Sequence, residues 1–201
     1  MTKSPFHTII AGASVLAAFA GTAALYPSMP DAIPTHWNIH GEVDGHMSKA
    51  FGAFLLPAIA LLIFAARLWQ SNGIPLLSYV VVFLSIQAIA IDLHAVGHPV
   101  SMVSLVGYSL GALFVLMGNS LGKVRRNRFV GIRTPWTLAD EEVWLRTHRF
   151  GGPVFMMAGG AMLLGTAVGT PIAAVVASLA TAVLACGIYS YVVYRSLRQT
   201  A

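Results

Sequence analysis

Residues 74–128 read IPLLSYVVVFLSIQAIAIDLHAVGHPVSMVSLVGYSLGALFVLMGNSLGKVRRNR. Two apolar runs, 74–96 and 99–118, lie back to back across Gly97–His98–Pro99, and a burst of cations follows the second. A helix needs about 20 apolar residues to cross the hydrocarbon core of a bilayer, with a range of about 17–25. Both runs have that length. Lys123, Arg125, Arg126 and Arg128 then fall within six residues, the basic flank that marks a cytoplasmic span end.

Working outward, four further runs have the same character: 7–26, 51–68, 153–169 and 171–194. Composition agrees, with 57% hydrophobic and 9% charged residues where soluble domains carry about 25% charged. The reading is all-α, a six-span transmembrane helical bundle. Threaded that way, eleven of the twelve Lys and Arg residues fall on one side: Lys3, Arg67, Lys123, Arg125, Arg126, Arg128, Arg133, Arg146, Arg149, Arg195 and Arg198. Lys49 alone falls on the other. By the positive-inside rule both termini and the 119–152 loop are cytoplasmic, and the 27–50 loop is outside. The expected location is a bacterial cytoplasmic (inner) membrane. The net charge of +5 follows from topology, so the lipid bilayer is the expected partner and nucleic acid is not. Cys186 is single and lies in an apolar run, a packing residue with no disulfide partner.

The first run follows Lys3, and Ala18-Phe19-Ala20 resembles a signal-peptide cleavage site. Because five similar runs follow, we expect a retained span. Gln70, Asn72 and Gly73 mark a tight inner turn, and Gly169–Thr170–Pro171 a tight outer one. We expect one integral membrane domain over 1–201, with chemistry in its two long connections. The fifth run is short and glycine-rich. A packed helix is the plain reading, and Gly165-xxx-Gly169 permits close helix approach; a broken or re-entrant helix is the sharper one.

The inner loop, 119–152, reads NSLGKVRRNRFVGIRTPWTLADEEVWLRTHRFGG. Thr137 as N-cap, acids at 140–142, cations at 146–149 and Gly151 as a stop predict a short amphipathic helix over about 138–149. Val143, Thr147 and Phe150 share its apolar face beside Trp144. The basic cluster reads as a headgroup-facing flank or as a docking surface. Arg133 and Trp136 are either interfacial anchors or binding residues.

Asn127, Gly131-Ile132-Arg133, Pro135-Trp136-Thr137-Leu138, Trp144, Thr147-His148-Arg149 and Gly152 resemble the signature of the SdpI family, bacterial multispanning membrane proteins named for immunity to a sporulation-delaying toxin. Tyr26-Pro27-Ser28-Met29-Pro30, Ile33-Pro34-Thr35-His36-Trp37-Asn38, Gly41 and Asp44-Gly45 resemble the extracellular module found in front of it. The resemblance implies a six-span immunity protein that shields the cell from a secreted membrane-active toxin. It also implies, more weakly, capture of a cytosolic regulator. Partner-binding residues implied by it are Asn127, Arg133, Pro135, Trp136, Trp144, His148 and Arg149 inside, with Trp37 and Asn38 outside; the partner is a peptide toxin, a lipid-linked ligand or a cytosolic regulator.

On the outer side, His36, His40, His46, His94 and His98 gather with Asp31, Glu42, Asp44 and Asp92. That density of imidazole and carboxylate could hold a divalent metal such as zinc, or form a polar cap whose histidines bond to backbone. Asp44-Gly45 predicts the hairpin turn of this loop. Asp92 is the acid within a span, where ionisable groups face the protein interior. Ser78, Ser85 and Asp92 recur every seven residues, and Ser101, Ser104 and Tyr108 form a stripe on the next run. Asp92 is therefore a candidate ligand or ion-path residue, or a plain interhelical bond-former, and we expect it beside one of the outer histidines. Binding is the expected mode of action, with no catalytic residues assigned. A small proton-coupled transporter using Asp92 and a metal-dependent membrane enzyme using the outer histidines are the rivals.

Overall fold

The computed structural model describes residues 5–69 and 75–199. Lys3 and the turn expected at Gln70, Asn72 and Gly73 lie outside the described residues. The chain runs α1 (Pro5–Leu25), a short 3-10 turn (Tyr26–Ser28), β1 (Ala32–Trp37), β2 (Val43–Ser48), α2 (Lys49–Trp69), α3 (Leu76–Ala95), α4 (Met102–Leu121), α5 (Pro135–Ala139), α6 (Glu141–Ala167) and α7 (Pro171–Gln199). Except α5, every helix is long and apolar enough to cross a membrane. Leu62, Leu164, Val183 and Ile188 stand exposed along these helices, an arrangement that water penalises and lipid accepts. The chain is a multi-pass, all-α membrane protein with one minor hairpin.

Backbone contacts divide it into two compact units, Met1–Ser109 and Leu110–Ala201. In the first, α1, α2 and α3 pack on one another around Ala11, Val15, Ala60 and Val81, with Phe19, Phe64 and Leu84 against them. A second cluster, Met29, Ile33, Ala53, Ala90, Ile91 and Met102, seats the hairpin on α2, α3 and the start of α4. Ile33 is its fully buried anchor.

The strands pair antiparallel, Ile33 opposite Met47 and Trp37 opposite Val43. Their turn is Asn38–Glu42, which corrects the expectation of a turn at Asp44-Gly45. The side-chain carbonyl of Asn38 accepts the N–H groups of His40 at 2.8 Å and Glu42 at 3.1 Å, and Gly41 supplies φ +80°, which other residues adopt only with strain. Gly45 instead lies within β2 opposite His36.

In the second unit, Phe114, Ala158, Met162 and Ala182 form a core between α4, α6 and α7, with Phe114 stacked on Phe155 at 4.9 Å. Gly118 and Gly152 face each other, and a Cβ on either would meet the carbonyl oxygen of the other. Small residues let the two backbones approach.

The helix expected over 138–149 and the span expected over 153–169 are one helix, α6. It starts after Asp140, whose side chain accepts the Val143 N–H at 3.0 Å. Thr137 is therefore not its N-cap but the third residue of α5. Gly151 does not stop it, because Gly151 keeps helical backbone and is buried. Pro153 is carried inside the helix. The stop comes at Gly169 (φ +85°), where the Gly169 and Thr170 N–H groups return to the Thr166 and Gly165 carbonyls, a double bond pattern that closes helix ends. The fifth span is thus a continuous packed helix.

Candidate functional site

The motif of the inner loop folds into a fixed structure in the second unit. After α4, Asn127 closes a turn, its side-chain oxygen accepting the N–H groups of Phe129 and Val130 at 2.8 Å each. Its amide donates to the carbonyls of Arg125 and Val130. Thr134 caps α5 by accepting the Thr137 N–H, while the Thr137 hydroxyl accepts the Thr134 N–H, two exposed-end donors satisfied together.

Beneath this loop, Trp144 and His148 are fully buried on the first turns of α6. Trp144 donates its indole N–H to the Val124 carbonyl at 2.7 Å and stacks on His148 at 4.0 Å. His148 Nε2 accepts the Ile132 N–H at 2.9 Å, and its Nδ1 lies 2.8 Å from the Trp144 carbonyl. Accepting at Nε2 requires the proton on Nδ1, so the pattern corresponds to the neutral imidazole. Gly131, at φ +127°, presses against both rings. Trp136 is half-buried, donates to Ser190 Oγ at 2.7 Å and packs on Tyr191 and Tyr194 of α7.

Two roles separate within the motif. Asn127, Trp136, Trp144 and His148 spend their polar atoms on the fold. Arg133, Pro135 and Arg149 stay exposed, as does Phe129 at 74%. The face of Val143, Thr147 and Phe150 packs within the protein: the first two are fully buried, and Phe150 stacks on Tyr189 at 4.1 Å. The sequence reading missed Ser190, Tyr191 and Tyr194, which lie on the last span with no signal beyond aromatic spacing. Arg126 of the basic cluster donates to the Leu138 carbonyl.

In the first unit the hairpin does not bring the five histidines together. His36 meets Asp44 at 2.5 Å on an exposed surface. His40 and His46 are exposed at the turn and on β2, and His98 is exposed beyond α3. His94 packs edge-on against Trp37 at 5.5 Å. Among the described residues no three His, Cys, Asp or Glu side chains assemble as a metal site. Asn38 shapes the hairpin turn and also bonds Glu42.

Asp92 is 1% exposed, and its neighbour is Thr22 of α1, whose hydroxyl donates to Oδ2 at 2.5 Å. The hydrogen-bond partner found among the described residues is thus a hydroxyl and not an imidazole: α1 and α3 pack side by side, which brings the hydroxyl to the acid. Ser78 and Ser85 are buried with Asp92, as their common stripe requires. Across to α4, however, the bond is from Gln87 to Ser109 at 2.7 Å. Ser101, just before α4, bonds Ser104 in its first turn, and Tyr108 is exposed.

Comparison with known proteins agrees with this division. The SdpI/YfhL protein family model matches residues 123–190, and a domain of unknown function (DUF1648) matches residues 13–61. The chain is similar to the "Immunity protein SdpI" of Bacillus subtilis (strain 168), 28% identical over 160 residues, covering 72% of this chain and 74% of that protein. No solved structure matches. The signature folded around Trp144 and His148 is thus the part of this chain that matches the SdpI/YfhL protein family, and the hairpin module lies ahead of it.

Proposed function

We propose that this chain is a membrane immunity protein that protects the cell making it from a secreted membrane-active toxin, acting by binding and not by catalysis. The observation that carries the reading is the similarity to the Immunity protein SdpI over most of both chains. In this proposal the protein sits in a bacterial cytoplasmic membrane, with both termini and the 119–152 loop inside and the hairpin outside. The charge asymmetry of the sequence supports that orientation.

The hairpin is the toxin-facing element. Ile39 and Met47 stand exposed on it, apolar anchors of the kind that concentrate binding energy. Trp37 and Asn38 hold that surface in shape. The inner loop presents Phe129, Arg128 and Arg133 on a rigid base and is the surface offered to a cytosolic regulator. The test is expression in a sensitive bacterium challenged with membrane-active peptides. Survival should rise with the intact chain and fall with Ile39→Asp plus Met47→Asp at equal membrane levels. Equal killing of expressing and empty cells across a peptide panel that includes the toxin of a related strain would overturn the reading.

A further inference from the structure

Arg67 lies in the last turn of α2 and is 2% exposed. Among the described residues its Nε and Nη2 have no hydrogen-bond partner, and neither has the hydroxyl of Ser78, also 2% exposed. The two residues lie near the ends of α2 and α3 that follow one another in the chain. Arg67 is two residues before the end of α2 at Trp69, and Ser78 two residues after the start of α3 at Leu76. The two helices pack on each other. Pro75 at the N-cap of α3 supplies no side-chain acceptor, so the positive end of that helix points to the same place.

No acidic side chain of the chain answers this arginine. The sequence has seven acids, none of them outside the described residues. Asp31, Glu42 and Asp44 belong to the hairpin segment before α2. Arg67 lies 18 residues beyond the first residue of α2, Lys49, which is roughly 27 Å of helix. Asp92 is in the last turn of α3, at that same far end, bound by Thr22. Asp140 caps α6, Glu142 pairs with Arg146 and Glu141 is exposed. A guanidinium taken from water and left unpaired is among the costliest arrangements a protein can hold. Its fork of donors fits a phosphate, and its place near the end of a candidate span is the depth of lipid headgroups.

We propose that Arg67 and Ser78 form a phosphate-binding site where α2 ends and α3 begins. The phosphate comes from an anionic phospholipid headgroup or from free inorganic phosphate. The guanidinium donates to the phosphate oxygens, and the Ser78 hydroxyl adds a neutral donor.

The full chain, purified and delipidated in detergent, tests this by native mass spectrometry and thermal unfolding. The probes are phosphatidylglycerol, a diacylglycerol with the same acyl chains, and inorganic phosphate. Phosphatidylglycerol should bind one to one and raise Tm by about 3 °C at saturation. Diacylglycerol should do neither. Inorganic phosphate matching the lipid's effect identifies the free ion as the ligand, and a smaller effect identifies the lipid. Arg67→Met should weaken phosphate-dependent binding by about tenfold or more, and Arg67→Lys and Ser78→Ala by less. Without ligand, Arg67→Met should melt above the wild type, since it removes an unpaired charge; with phosphatidylglycerol the order should reverse. Equal binding of both phosphate probes by the wild type and Arg67→Met, or binding of neither by the wild type, overturns the proposal. Should Arg67→Met fail to fold, undiminished affinity in both Arg67→Lys and Ser78→Ala overturns it as well.

Discussion

The Nε2 of His148 accepts the backbone N–H of Ile132 at 2.9 Å, while the ring lies flat on Trp144 of the preceding turn. One side chain therefore fixes both the protonation pattern of a buried imidazole and the path of the loop above it. His148→Ala should destabilise the second unit by about 2–4 kcal/mol, the loss of a buried ring together with an orphaned N–H. Gly131→Ala should also destabilise it, because a Cβ there meets both rings and the φ of +127° disfavours any side chain. Thermal unfolding in detergent checks both, and wild-type Tm values in the two variants would remove His148 as the organiser of the loop.

Trp136 and Ser190 are 54 residues apart in sequence and 2.7 Å apart in space. Trp136→Phe and Ser190→Ala should each cost about 1 kcal/mol, and the double variant clearly less than their sum. Arg133→Ala, on an exposed residue, should leave stability within about 0.5 kcal/mol and yet lower protection against toxin. Loss of protection in Trp136→Phe with Arg133→Ala unaffected would place the loop's importance in its fold alone.

Asp92 and Thr22 form a buried pair between α3 and α1. Thr22→Val leaves the acid with no donor, so it should cost about 1–3 kcal/mol. Asp92→Asn keeps a hydrogen-bonding side chain and should cost less. A double-mutant cycle should report coupling of about 0.5–3 kcal/mol; additive effects would mean the two groups do not act as a pair.

For topology, single cysteines in a Cys186→Ser background give a direct measurement. A cysteine at position 44, exposed on the hairpin, should react with an impermeant thiol reagent in intact cells. One at position 126 should react only after permeabilisation. The opposite pattern would invert the proposed orientation.

The six spans were legible in the sequence because hydropathy and charge flanks are carried by contiguous residues. The acids at 140–142 likewise marked a helix start correctly. What escaped were features decided by packing. Gly151 and Gly152 have the look of a terminator, but against Gly118 they are contact residues inside a longer helix. Asp44-Gly45 is a common turn pair, yet the Asn38 side chain builds a competing turn earlier. Asp92 met Thr22 and not a histidine because its partner lies 70 residues away, beyond what local pattern can indicate. Arg67 looked like one more interfacial cation until its burial was visible.

The unbroken course of α6 has a mechanical consequence. Its 27 residues make a rod of roughly 40 Å, with Trp144 and His148 near one end and Met162 towards the other. Pro153 and the Gly151–Gly152 pair sit between those ends, where the helix lacks one i→i−4 bond and bends most easily. A tilt of the lipid-facing part reaches the bonds to Val124 and Ile132 only through that turn.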